Sequence, residues 1–511
     1  MTTSVKTSNS QIAKNTLFLY VRMLLTILAN LYAVRVIWQV LGVDDYGVYN
    51  VVGGIVAMFA FLNNAMIASS QRFISFELGT GNAEKLKKVF CISVTVHVLL
   101  ALIILLLAET AGLWFLNAKL NIPADRMIAA NWVYQCSIIA FMVNVVSVPY
   151  NACIVAHEHM KTFGYFGILE VVLKLAIVFM LIFIHGDKLI TYALLVLGVS
   201  VFMRIIYGIY CRRHFAECRY RYTSDHHLMR DMFSFAGWSF IGNLGFSVRD
   251  QGLNIILNMF FNVAVNAAKG VSNQIGGVLS GFAGNFQMAL NPQITKRYAS
   301  GDLSSMMQLV LSGCKYSALL MIFIVVPLFF AAEEVLYLWL GSVAPYTVGF
   351  LRLVLIMALI DSMVSPVTTA LQAIGRIKWF QIIVSVIMLS NLPVAWLWLK
   401  FNHDPYVVMF VSIITSLIAL GARLVLLRRE IKFSYKEFAV EMFGRVMPSF
   451  VFSVAAAWGI YSVLPGSMGG LIAFILLSVM VVAAALFSLG LGRNERHLVW
   501  EAVKRKLPYS N

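Results

Sequence analysis

Apolar residues run along this chain in long blocks, and polar residues fall between the blocks rather than alternating within them. The blocks lie near 16–41, 46–76, 86–109, 127–150, 162–184, 189–211, 231–261, 266–294, 306–331, 347–373, 378–400, 405–427, 443–464 and 468–490. Each is long enough to cross a bilayer, which takes about 20 predominantly apolar residues. Without water to serve the backbone, such a run must close its own hydrogen bonds, so each is predicted to be a helix. The expected fold is an all-α membrane protein of about 14 transmembrane helices. No cleavable leader is expected: residues 1–14 are polar, include Lys6 and Lys14, and run straight into a full-length span.

The blocks also repeat. The stretch Gly270-Val271-Ser272-Asn273-Gln274-Ile275-Gly276-Gly277 through Phe282-Ala283 echoes Gly47-Val48-Tyr49-Asn50-Val51-Val52-Gly53-Gly54 through Phe59-Ala60, at an offset of 223. Pro149, Ala156, Lys161 and Phe163 recur as Pro366, Ala373, Lys378 and Phe380, offset 217, and Thr80-Gly81-Asn82 is echoed by Ser300-Gly301-Asp302. The pattern predicts two pseudo-symmetric six-helix lobes, 1–225 and 226–435, followed by two extra helices and a basic tail over 436–511. Six spans per copy make the repeat parallel, the kind in which one half rocks against the other about a central cavity. Gly53, Gly54, Gly276 and Gly277 then read as packing or hinge positions, since small residues let membrane helices approach closely. Pro149 and Pro366 read as bends. At the place of Lys269 the first copy has Tyr46.

Composition strengthens this picture. Of 511 residues, 60% are hydrophobic and 12% charged, with a mean hydropathy of +0.83; a soluble chain carries about 25% charged residues. The net charge of +16 sits in the connections, so nucleic acid is not the expected partner. Alternate connections are rich in base, among them Lys85, Lys87, Lys88, Arg212, Arg213, Arg219, Arg221, Arg428 and Arg429, while the others hold few. Basic loops stay cytoplasmic, which places both termini inside. The six cysteines have no metal spacing and read as buried thiols. No G-x-x-x-x-G-K-[ST] loop is present, and no cofactor is expected. His226-His227 and His157-Glu158-His159 read as solvated loop residues, while for the solitary His97 a core hydrogen bond is as good a reading as a functional role.

The informative residues are charges inside the blocks, which are costly in lipid and face a cavity or a partner. The bases are Arg22, Arg35, Lys174, Arg204, Arg249, Lys269, Lys315, Arg352 and Arg423; the acids are Glu109, Glu170, Asp250 and Asp361. Base predominates. Arg35, Lys315 and Arg423 lie near block ends and are expected to snorkel. Glu170 and Lys174 are spaced for an intrahelical ion pair. Arg249 stands among Asn243, Ser247, Gln251, Asn254 and Asn258, a polarity that fits a wet cavity; Asp250 leaves the helix about 100° away and is not its automatic partner. Lys269, at the outer mouth of its block, reads either as an anion-binding group or as an interfacial anchor. Asp250, Asp361 and Glu170 are the candidates to carry a coupling proton or sodium ion.

Several motifs carry a family likeness. They are Leu41-Gly42-x-x-x-Tyr46-Gly47, Val148-Pro149-Tyr150-Asn151 through Ala156-His157-Glu158, and Asn258-Met259-Phe260-Phe261 through Lys269-Gly270. Asn285-Phe286-Gln287 followed by Asn291-Pro292-Gln293-Ile294-Thr295-Lys296 completes the set. Over essentially its whole length the chain resembles the polysaccharide-transporter branch of the multidrug/oligosaccharidyl-lipid/polysaccharide exporter (MOP) superfamily, the Wzx-type flippases. The resemblance implies a bacterial inner-membrane flippase, not an enzyme. It would move an undecaprenyl-diphosphate-linked oligosaccharide from the cytoplasmic to the periplasmic leaflet for surface polysaccharide or O-antigen lipopolysaccharide synthesis. It also implies a cationic cavity, for which Arg22, Arg249, Lys269, Arg35, Arg204 and Arg352 are the candidates, and work beside other polysaccharide-assembly proteins. The competing expectation is a cation-coupled multidrug or metabolite exporter of the same superfamily, whose cavity needs acids. A glycan polymerase or ligase would need a sizeable outer loop.

Overall fold

The computed structural model describes residues 18–29, 32–33, 36–37, 40–41, 45, 48–49, 52–53, 56, 60–119, 122–223, 225–261, 263–340, 343–431, 433–464 and 467–497. Arg35, Tyr46 and Gly54 lie outside them. Among the described residues the regular structure is entirely helical. In chain order the helices are α1 (Phe18–Ala29), α2 (Ala60–Thr80), α3 (Ala83–Ala118), α4 (Ala124–Ala156), α5 (Met160–Phe183) and α6 (Lys188–His214). Then come α7 (His226–Phe260), α8 (Val263–Ala299), α9 (Leu303–Phe330) and the short α10 (Ala332–Leu340). The last five are α11 (Thr347–Ile374), α12 (Ile377–Phe401), α13 (Val407–Ile431), α14 (Tyr435–Val463) and α15 (Met468–Gly490).

Ten of these are long and apolar enough to cross a membrane: α3 to α6, α9, and α11 to α15. Helices α2, α7 and α8 occupy three more of the expected blocks but are richer in polar residues. Leu102, Leu106, Ile128 and Phe183 are each more than half exposed, a surface that lipid accepts and water would penalise. The chain is a multi-pass integral membrane protein.

By contacts the chain divides into two compact units, one of residues 1–244 with 288–302 and the other of 245–287 with 303–511. Each has its own apolar core. Val133, Tyr134 and Leu189 centre one in the first unit, and Leu257, Phe350 and Leu399 centre another in the second. Local signals set the helix ends. Asn82 caps α3 by accepting from Lys85 N at 3.0 Å, and Asp187 caps α6 through Leu189 N and Ile190 N. In α3 a π-turn at Ala108–Gly112 hands the Leu113 amide to the Ala108 carbonyl, which also accepts from the Tyr134 hydroxyl, 2.7 Å away, and Glu109 accepts from Gln135.

The repeat extends to backbone conformation. Gly81 and Gly301, 220 residues apart, both take left-handed angles (φ +73° and +77°), as do Glu158 and Gly375, 217 apart (φ +62° and +86°). Glycine meets that need without steric cost; Glu158 does not. Its carboxylate accepts from Lys296 Nζ at 2.6 Å and from Gln293 Nε2, bonds that hold a residue type ordinarily excluded from this conformation.

Two expectations fail here. The connection left between the blocks 189–211 and 231–261 is shorter, because the first helix continues through Arg212 and Arg213 to His214 and the next begins at His226. Its remainder is pinned, as are His157 and His159, which are not simply solvated. His157 bonds Glu217 at 2.5 Å and stacks on Phe215 at 4.2 Å, while His159 meets the Tyr210 hydroxyl at 2.9 Å. Burial, then the neighbouring His157 and His214, pushes the His159 pKa down. His227, by contrast, is exposed beside Asp231, and His97 is buried with Nδ1 on the Ser93 carbonyl. All six cysteines are buried and free.

Candidate functional site

In the second unit, two glycines one side of a helix apart let α7 press against α12. A Cβ on Gly245 would stand 3.1 Å from the Ser385 hydroxyl, and one on Gly252 only 2.6 Å from Leu392. Arg249 lies between them on the same face, so the close approach buries it to 2% exposure. Its Nη1 points at Met388 Sδ, 3.2 Å away, and its guanidinium lies 4.3 Å from the Phe246 ring centre. Nε and Nη2 both donate to Asp250 Oδ1, at 3.0 and 2.8 Å. Asp250 is thus the partner of Arg249 after all. The 100° offset governs where the two Cβ atoms point, and a guanidinium on its long stem reaches round it.

Lys269 joins this site from α8. It is buried, and its Nζ donates to Asn254 Oδ1 at 2.7 Å. Asn254 stands one turn after Asp250 on α7. The interfacial-anchor reading of Lys269 is therefore corrected: Ala268, Lys269 and Ser272 share the buried face of α8. Ser272 fixes that face by donating to the carbonyls of Ala268 and, across to α11, Thr347.

Further along, Asp361 on α11 stands within electrostatic reach of Arg249, Asp250 and Arg423. Arg423 on α13 is buried, with Nε and Nη1 unbonded and Phe380 5.9 Å away. It does not snorkel: it is buried within electrostatic reach of Asp361. Three bases and two acids gather here, so one positive charge is in excess.

Helix α8 also explains its glycines. A Cβ on Gly276 would meet Val354 Cγ1 at 2.7 Å, while one on Gly277 or Gly270 would meet nothing within 4 Å, and the same holds for Gly53 in the first unit. Close packing at this seam rests on Gly276. The adjoining face of α8, Gly270, Asn273, Gln274, Gly277, Ser280 and Gly281, is exposed, and so are Asn243, Ser247 and Gln251 on α7. It is a face of amides, a hydroxyl and bare backbone.

The remaining candidates do not join this cluster. In the first unit, Arg22 lies 4.7 Å over Phe163 and Arg204 lies 3.9 Å over Tyr150. Arg352 donates to the Phe329 carbonyl at the end of α9. Glu170 takes Lys174 Nζ at 2.7 Å, the i,i+4 pair its spacing predicts. Pro149 and Pro366 both lie inside helices, α4 and α11. Lys315 is corrected as well. It is buried, bonded to Glu495 at 2.5 Å and Glu441 at 3.2 Å, acids too distant in sequence for spacing to suggest.

Arg72, inside the second apolar block, is missing from the charges picked out by sequence. It sits among Phe73, Phe76 and Phe235, with ring centres 4.6 to 5.6 Å away. Arginine followed by aromatics at the next and fourth positions was the available signal, as one helix face can cage a cation.

Residues 12–297 match the family described as polysaccharide biosynthesis protein, and residues 238–397 match the MatE family. The chain belongs to the polysaccharide-transporter family of the MOP superfamily. Solved structures share this transporter fold. One is a multidrug resistance MATE family transporter in an outward-facing conformation (TM-score 0.71, 14% identity, 83% of this chain and 96% of that one). A MATE transporter in complex with MaD3S is equally similar (TM-score 0.71, 14% identity, 83% and 96%). A third is a MOP superfamily transporter from Pyrococcus furiosus, described as having a binding pocket of reversed polarity (TM-score 0.69, 14% identity, 83% and 96%). No protein of curated function matches the chain.

Proposed function

We propose that this polysaccharide transporter is a flippase for an undecaprenyl-diphosphate-linked oligosaccharide, carrying it from the cytoplasmic to the periplasmic leaflet by alternating access. The observation that carries the reading is the cluster of buried Arg249 and Lys269 with the half-exposed Asp250, its base in excess, beside the open glycine and amide face of α8. A diphosphate entering hydrocarbon loses its hydration at great cost; fixed cations inside the protein offset that loss. Asp250, half-exposed, holds Arg249 until a stronger anion takes the guanidinium. Amides, hydroxyls and bare backbone meet sugar hydroxyls without demanding one shape. The prenyl tail stays in lipid.

Of the three carboxylates that could carry a coupling proton or sodium ion, Asp361 is best placed, since it lies near both Arg249 and Arg423. Glu170 is already taken by Lys174. Asp250 is engaged by Arg249.

Replacing Arg249 with Ala should abolish complementation of a flippase-deficient strain at undiminished abundance in the membrane. Normal surface polysaccharide in that strain would remove the role. The second reading, a cation-coupled multidrug exporter, is favoured by the shared fold with MATE transporters. Drug resistance on overexpression, without any effect on surface glycan, would establish it instead.

A further inference from the structure

The connection between α6 and α7 is a built surface rather than a tether. Its segment Arg219-Tyr220-Arg221-Tyr222 has no regular secondary structure and is fastened to α3 by one thiol. Cys91 Sγ donates to the Arg219 carbonyl at 3.9 Å and accepts from Arg221 N at 3.4 Å. One turn further into the apolar block, Thr95 Oγ1 meets the Tyr220 hydroxyl at 3.2 Å. The same face of α3 continues with Leu99, Leu102 and Leu106, all exposed, so Tyr220 stands where the lipid-facing surface begins. Glu217 and Cys218, just before the segment, are buried, and Glu217 is occupied by His157.

This fastening displays base without a counter-charge. Arg212, Arg213, Arg219 and Arg221 are exposed, as is Lys87, one turn before Cys91 on α3. Among the described residues none of the five is in an ion pair. The nearest acids in sequence are engaged elsewhere, Glu84 on Lys88, Glu217 on His157 and Asp225 on the Leu228 amide near the start of α7. Tyr220 and Tyr222, both exposed, add the aromatic rings that settle at a membrane interface.

We propose that this Arg-Tyr-Arg-Tyr surface binds the phosphate headgroups of anionic phospholipids in the cytoplasmic leaflet. Guanidinium forks match phosphate oxygens, and Tyr220, bonded to Thr95, sets their depth. The assignment of the leaflet rests on the charge distribution of the connections; the surface itself is independent of what the transporter carries.

The test is native mass spectrometry of the purified full chain with phosphatidylglycerol and with phosphatidylcholine. The double variant Arg219→Gln/Arg221→Gln is compared with Arg428→Gln/Arg429→Gln, an equally exposed basic pair on α13. Each guanidinium near a charged headgroup strengthens binding about fivefold, so the first double variant should lose about 25-fold in retention of phosphatidylglycerol. It should lose little with phosphatidylcholine, and the α13 pair, which is basic and exposed but belongs to no fastened Arg-Tyr-Arg-Tyr surface, should lose several-fold less phosphatidylglycerol than the first pair. Equal losses in the two double variants, or equal retention of the two lipids by the unaltered protein, would overturn the proposal. Retention of melting temperature by the first variant separates lost lipid from lost fold.

Discussion

Arg249 owes its burial to what its neighbours lack. With Gly245 and Gly252 flanking it on one helix face, there is no Cβ to hold α7 away from α12. Gly276 does the same for α8 against Val354, and here the energetics are testable. Gly276→Leu forces a branched side chain into packed Val354 and should cost about 1–3 kcal/mol, read as a lower melting temperature in detergent. Gly277→Ala, with open space at its Cβ, should leave stability within about 0.5 kcal/mol. Equal losses in the two variants would deny any special role to Gly276. At this scale the sequence was informative where polarity clustered, as around Arg249. It was misleading where a partner came from far along the chain: Lys315 and Arg423 look interfacial by position, and Glu495 and Asp361 make them internal.

The last two helices are more than an appendage to the second six. Lys315 of α9 is clamped by Glu441 at the start of α14 and by Glu495 beyond α15, and Arg445 bridges the same two acids. Burial raises the pKa of Glu495, but the hydrogen bonds from Lys315 and Tyr316 outweigh it and hold the carboxyl below its ordinary range. A depressed carboxylate contributes stability that is complete above its unfolded pKa, about 4.3, and is lost as pH falls through the folded value. Acidification from neutrality to about pH 5 should therefore leave the docking of α15 intact, and lower pH should loosen it, as judged by proteolysis of the C-terminal segment. Glu495→Gln should be loosened already at neutral pH and respond less to acid. Identical profiles for the two proteins would remove Glu495 from the clamp. Block lengths gave most helices within a few residues; helix ends set by capping, such as Asp187, or by the continued α6 were less legible, because hydropathy does not register a cap.

At the scale of the molecule, the internal repeat is visible both as recurring residues and as recurring left-handed turns, Gly81 with Gly301 and Glu158 with Gly375. That regularity made the architecture readable, whereas the site was readable only in part: Arg249 and Lys269 come together, while Arg22, Arg204 and Arg352 are each occupied elsewhere. The loop charges predict that both termini are cytoplasmic. Green fluorescent protein fused to either end should fluoresce, and alkaline phosphatase there should be inactive; active phosphatase at one end alone would mean an odd number of crossings. The open face of α8 has one more consequence. A wall made of glycine backbone, carboxamides and a hydroxyl offers hydrogen bonds without a mould. Under the flippase reading it imposes little discrimination among sugars, so a lineage could change its coat while keeping this helix, and selectivity would have to be written on other walls.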